Sequence, residues 1–108
     1  STGCVALVTP RRVAVAAVGD SRAVLVRRAA EGGEGLEALA LSEDFKPDNP
    51  AERARILAAG GAVVEVVDTE VPEGEAQRVY HRVKYDPAKK ASLAMSRAFG
   101  DFLYKQQR

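Results

Sequence analysis

The stretch that most constrains the fold runs from Arg12 to Arg27, RVAVAAVGDSRAVLVR, where two apolar runs are joined at Gly19-Asp20. Glycine reaches positive φ at little cost, and a two-residue connection beginning with it suits a type II′ turn, whose twist matches the flanking strands. The spacing predicts a β-hairpin with Val18 facing Ser21, Val15 facing Val24, Ala14 facing Leu25 and Val13 facing Val26. Side chains alternate across a strand, so both faces of this hairpin come out apolar. Such a layer needs cover on both sides, from a second sheet or from helices. An acid, Asp20, stands at its tip. It is either a turn residue that bonds its own backbone or a group placed there for chemistry.

The flanking sequence extends the sheet. Cys4–Val8 has the length and valine content of a buried strand, and Thr9-Pro10-Arg11 turns it into Arg12, so three strands are expected in a meander with Cys4 in the core. A chain that begins this abruptly inside a sheet is expected to be part of a larger unit. Glu31–Gly35 is a polar, glycine-rich loop, and 36–41 is a short fourth strand. Asn49 is a good N-cap, Pro50 suits the first helical position, and Glu52 stands three residues after the cap. A helix is predicted over 51–59, burying Ala54, Leu57 and Ala58 with Ile56 beside them and leaving Glu52, Arg53 and Arg55 in water. Gly60-Gly61 ends it through a left-handed cap.

A valine-rich strand follows over 62–67, then an acidic loop over 68–77. The next strand, 78–85, puts Val79, His81, Val83 and Tyr85 on one face and Arg78, Tyr80, Arg82 and Lys84 on the other. His81 reads as a half-buried packing residue, and the basic face as a solvated one opposite the acidic loop. Pro87 ends the alternation. Leu93–Asp101 is expected to run from a strand end into a helical turn closed by an Arg97–Asp101 ion pair.

The totals bound the function. A chain of 108 residues suits one small domain. Hydrophobic residues make up 46%, yet with three Phe, three Tyr and no Trp the core must be built from small side chains. Sixteen basic against 15 acidic groups leave a net charge of +1, which gives no global field to attract nucleic acid or anionic lipid. No apolar run approaches the roughly 18 residues that cross a bilayer. The single cysteine has no partner for an internal disulfide, which points to a reducing, intracellular setting, cytoplasmic or nuclear.

Four separated stretches carry a resemblance: Ser1-Thr2 before a strand, VGDSRAVL at Val18–Leu25, LSEDFKP at Leu41–Pro47, and LAMSRAFGD at Leu93–Asp101. Each is weak by itself. In this order, with the ERARILAAGG helix between the last two, the chain resembles the central part of a metal-dependent protein serine/threonine phosphatase of the type 2C family. The final stretch, RVYHRVKYDPAKKASLAMSRAFGDF, is similar to the plant and algal branch.

The resemblance implies an α+β fold: an antiparallel β-sandwich flanked by helices, present here only in part, with a flap-like region at about 42–92. It implies Mg²⁺ or Mn²⁺ as cofactors and phosphorylated proteins as substrates, with a metal-activated water attacking phosphorus and no phosphoenzyme. Asp20 matches the family's GDSR aspartate, which helps bind an additional, weaker metal. Lys46 and Arg78 match basic positions of the flap region that contribute to substrate binding, and no residue here matches a principal catalytic ligand. The family's Asp-Gly-His-Gly and Asp-Gly motifs are absent from the chain, which should therefore not hydrolyse phosphoesters by itself. Phe45 stands where the family usually has His, and the 68–91 segment is longer than in many members. A non-catalytic relative that keeps the fold as a protein-binding module is the alternative.

Overall fold

The computed structural model describes residues 1–29, 35–86, 88 and 90–105. The apolar runs form strands, but their pairing departs from the expected hairpin. β1 (Gly3–Val8) pairs antiparallel with β2 (Val13–Val18), from Gly3↔Val18 to Val8↔Val13. The turn between them is closed by the Thr9 N–H to the Arg12 carbonyl at 2.8 Å and by the Arg12 N–H to Thr9 Oγ1 at 3.0 Å. β3 (Val24–Arg28) pairs with β4 (Leu36–Ala40), from Val24↔Ala40 to Arg28↔Leu36, and Arg27 meets Glu37 across the ladder at 2.9 Å. β2 and β3 lie in different sheets, so 19–23 is a crossover and the meander stops at two strands.

The physical reason is competition for the backbone groups around the crossover. The Gly19 carbonyl accepts from the Phe45 N–H at 2.9 Å, the Ala23 carbonyl from the Leu41 N–H at 2.9 Å, and the Ala23 N–H donates to Ser42 Oγ at 2.8 Å. The 41–45 segment takes these groups, and both backbone groups of Ala23 are lost to a β2–β3 ladder. Gly19 has φ of +86°, and a Cβ there would overlap the Thr2 side chain and crowd the Arg97 carbonyl. The glycine is required for close approach as much as for turning.

The helix forms where its signals lie. In α1 (Pro50–Ala58) the Asn49 side chain accepts from the N–H groups of Ala51 and Glu52, and Pro50 occupies the first turn. At the other end, the Gly60 N–H reaches the Leu57 carbonyl and the Gly61 N–H the Ile56 carbonyl, both at 3.0 Å, with Gly60 at φ of +80°. This is a Schellman closure. The expected burial is corrected: Glu52 and Ile56, four residues apart, form the buried stripe, whereas Leu57 is half exposed. Tertiary contact, a β-strand on one side and arginines on the other, decided the face.

β5 (Ala62–Val67) pairs antiparallel with β6 (Val79–Lys84), placing Val63 opposite Val83 and Glu65 opposite His81. His81 is half-buried, with Nε2 3.5 Å from Glu65. Val83 also exchanges backbone hydrogen bonds with Leu93 at 2.8 and 3.0 Å, which docks the 93–101 segment against β6. No helical turn forms within that segment; a short 3₁₀ turn follows at Phe102–Tyr104, and Tyr104 packs edge-on against Tyr85 with centroids 5.4 Å apart. The residues at 30–34, 87 and 89, on which the polar-loop and Pro87 expectations fall, lie outside the described residues.

Among the described residues there are three two-stranded antiparallel sheets and one α-helix. The buried apolar residues are Ile56, Val83 and Pro47, with Ile56 and Val83 on α1 and β6, on either side of β5, which contacts both elements. On β1 the apolar residues face solvent: Leu7 is 66% and Val8 70% exposed. Cys4, expected in the core, is exposed on β1. The accessible surface of 8395 Å² compares with roughly 5,800 Å² for a compact monomer of this mass. The radius of gyration, 17.9 Å, compares with about 13 Å.

Candidate functional site

The four motif stretches, scattered along the sequence, converge at one corner. Residues 44–46 thread between the crossover and the 96–97 segment: the Phe45 N–H donates to the Gly19 carbonyl, and the Phe45 carbonyl accepts from the Ser96 N–H at 2.8 Å. Thr2 Oγ1 and Ser21 Oγ are 2.8 Å apart, and the Phe99 N–H reaches the Ser1 carbonyl at 2.7 Å. Each stretch supplies donors and acceptors that its neighbours complete.

The side chains beside this backbone pair by charge. Lys46 Nζ lies 3.4 Å from Asp20 Oδ2, joining the GDSR and DFKP stretches across the crossover. The contact is long and both groups are partly in water, so it is a weak pair. Arg22 instead holds Asp44 bidentately, with Nε to Oδ1 at 3.0 Å and Nη2 to Oδ2 at 2.7 Å. The hydrogen bonds from Arg22 hold the Asp44 carboxyl below its ordinary range.

Behind them lies a tighter cluster built on Glu52, which is only 4% exposed. Each of its carboxylate oxygens accepts one N–H from Arg55 and one from Arg97. The Arg97 Nη2–Oε1 distance is 2.6 Å and the Arg55 Nη2–Oε2 distance 2.7 Å. Arg55 also donates to the Ser96 carbonyl at 2.9 Å. The hydrogen bonds of Arg55, and after them those of Arg97, outweigh burial and hold the Glu52 carboxyl at about 2. Ser96 Oγ, buried close by, reinforces the shift without reaching hydrogen-bond geometry. The Arg97 guanidinium in turn lies over the Phe45 ring, 4.7 Å from its centroid.

Of the residues singled out from sequence, Asp20 and Lys46 are brought together. Arg78 is not joined to them: it stands at the stem of the 68–78 loop, paired with Glu75 at 3.2 Å, while its carbonyl accepts from the Asp68 N–H. The expected Arg97–Asp101 pair is replaced by Arg97–Glu52: no helical turn forms over 96–101 to bring Asp101 beneath Arg97, and Arg97 reaches α1 instead. Glu52, Arg97 and Phe45 escaped the sequence. Glu52 and Arg55, three apart on a helix, have the spacing of an ion pair, but Arg97 lies 45 residues further on.

Among the described residues no group of three or more His, Cys, Asp or Glu side chains could hold a metal ion. A hard cation takes six or more oxygens, and Asp20 offers one carboxylate, already facing Lys46. These residues do not by themselves fit a Mg²⁺ or Mn²⁺ centre.

The chain belongs to the protein phosphatase 2C family, which it matches over residues 1–108. It is 41% identical to the probable protein phosphatase 2C 48 of Oryza sativa subsp. japonica, over 96% of this chain and 29% of that protein. It is also 41% identical to the probable protein phosphatase 2C 34 of Arabidopsis thaliana, over 97% of this chain and 27% of the relative. Over 59% of this chain, identity to the probable protein phosphatase 2C 8 of Oryza sativa subsp. japonica reaches 53%, covering 14% of it. The chain thus spans less than a third of the length of these curated relatives. No solved structure matches it.

Proposed function

We propose that residues 1–108 are the central part of one type 2C catalytic domain, in a protein that hydrolyses phosphoserine and phosphothreonine on other proteins with Mg²⁺ or Mn²⁺. The observation that carries this is the meeting of two family motifs, Gly19-Asp20 and Phe45-Lys46, across the crossover. In this proposal the paired sheets are portions of a two-sheet sandwich with helices on its outer faces, and residues at about 42–92 form a flap beside the active site. Asp20 contributes one carboxylate toward a cation held chiefly by groups outside these 108 residues. Lys46 and Arg78 present charged donors to the phosphoryl group or to acids flanking it. The protein works inside the cell, in cytoplasm or nucleus, and the 108 residues by themselves do not turn over substrate.

The test is a metal titration of the full-length protein on a phosphothreonine peptide. Asp20→Asn is expected to raise the metal concentration needed for half-maximal rate several-fold while leaving the melting temperature unchanged, since it removes one charged oxygen donor from a partly exposed site. An unmoved titration returns Asp20 to a turn residue, and no Mg²⁺- or Mn²⁺-dependent hydrolysis by the wild type sinks the proposal as a whole.

A further inference from the structure

We propose that Glu52 is a positioning residue for Lys46, acting through Arg97 and Phe45; this rests on the reading of Lys46 as a phosphate-facing donor. The four N–H groups that Glu52 accepts come from two guanidinium planes, so both arginines are fixed in orientation as well as in place. Arg97 then presents its face to the Phe45 ring. Phe45 is tied on both sides of its backbone, to Gly19 and to Ser96, and the residue after it is Lys46. The crossover, the 44–46 segment and α1 are therefore locked by one buried carboxylate. The clasp reaches the front of the corner through the Phe45 ring and the Ser96 backbone, one residue from the lysine and one hydrogen bond from Gly19, the neighbour of Asp20.

Removing the charge of Glu52 leaves two guanidinium groups side by side with no anion between them. They repel and turn toward water, Arg97 leaves the ring, and the Phe45–Lys46 peptide loses its side-chain anchor. A purely structural clasp would lower stability when cut and leave substrate binding alone. A positioning clasp weakens the use of Lys46 in particular.

The experiment compares Lys46→Ala, Glu52→Gln and their combination in the full-length protein, reading KM and kcat for a phosphothreonine peptide at saturating Mn²⁺, with melting temperature followed in parallel. Lys46→Ala is expected to raise KM about tenfold and Glu52→Gln about three- to fivefold, with kcat within about twofold, as for loss of uniform binding. The combination should be no worse than Lys46→Ala, because a mispositioned lysine and a missing one are the same loss. Independent, multiplicative effects, or an unchanged KM in Glu52→Gln with a lowered melting temperature, overturn the inference. An unchanged KM in Lys46→Ala instead overturns the reading on which it rests. Should Glu52→Gln not accumulate folded, Phe45→Leu carries the test, since it removes the aromatic face while keeping most of the apolar volume. It is expected to raise KM like Glu52→Gln, and an unchanged KM overturns the inference.

Discussion

The corner around Glu52 and the two sheets β1–β2 and β3–β4 are made of the same chain, yet they are held together in different ways. At the corner Glu52 and Ile56 are buried, and polar groups far apart along the chain find one another, Asp20 and Lys46 across 26 residues and Glu52 and Arg97 across 45. In the two sheets the ladders are complete while Leu7, Val8, Val26 and Leu36 stand in solvent. Backbone pairing can finish a sheet without any core, but burial needs a second surface. Six aromatics and many small side chains cannot provide it from within 108 residues. The corner buries its own side chains, and the faces of the two sheets stand open.

The largest effect that would test this contrast concerns the chain by itself. Residues 1–108 expressed alone are expected to bind a hydrophobic dye strongly and to self-associate, as seen by dye fluorescence and sedimentation. A monodisperse monomer with one cooperative melt would erase the difference between the two regions.

A smaller effect asks whether the sheets are covered in the full-length protein. If they are, Leu7→Ala costs about 3 kcal/mol in denaturant unfolding, as for a packed core leucine, despite the exposure of Leu7 here. A cost under about 0.5 kcal/mol places the face in water and removes the need for cover.

The smallest sharpens the other side of the comparison. The Glu52 carboxyl is depressed from 4.5 to about 2, so its contribution to stability is complete above pH about 4.5 and is lost as pH falls toward 2. Both arginines are about half exposed and remain partly solvated, which reduces the contribution at neutral pH. The gap in melting temperature between wild type and Glu52→Gln should be constant from pH 7 to about 4.5 and close below it. A gap that persists unchanged to pH 2.5 would mean that the charge is not what holds the corner.

Much of the local structure was legible. The helix begins at Asn49-Pro50 and ends at Gly60 because those residues satisfy or spare their own backbone groups, and the 62–67 strand falls where its valines are. The four motif stretches were also visible as separate strings, and they were enough to indicate the type 2C family. What they did there was not visible. Gly19-Asp20 looked like the turn of a hairpin, since nothing in the string shows that the Gly19 and Ala23 carbonyls are taken by residues 41–45. Glu52 looked solvated, because half of its partners lie 45 residues away, and Arg97 looked paired with the nearest acid along the chain.

By itself the sequence determined the capped helix, the apolar strands and the family, since capping, alternation and glycine conformation are settled within a few residues. Tertiary structure alone decided which strands pair, that the crossover carries Asp20 to Lys46, and that a helix surface acid becomes a buried clasp. The reason is that a backbone carbonyl or a carboxylate has a limited set of partners and takes those that geometry brings near. Their distance along the chain does not enter.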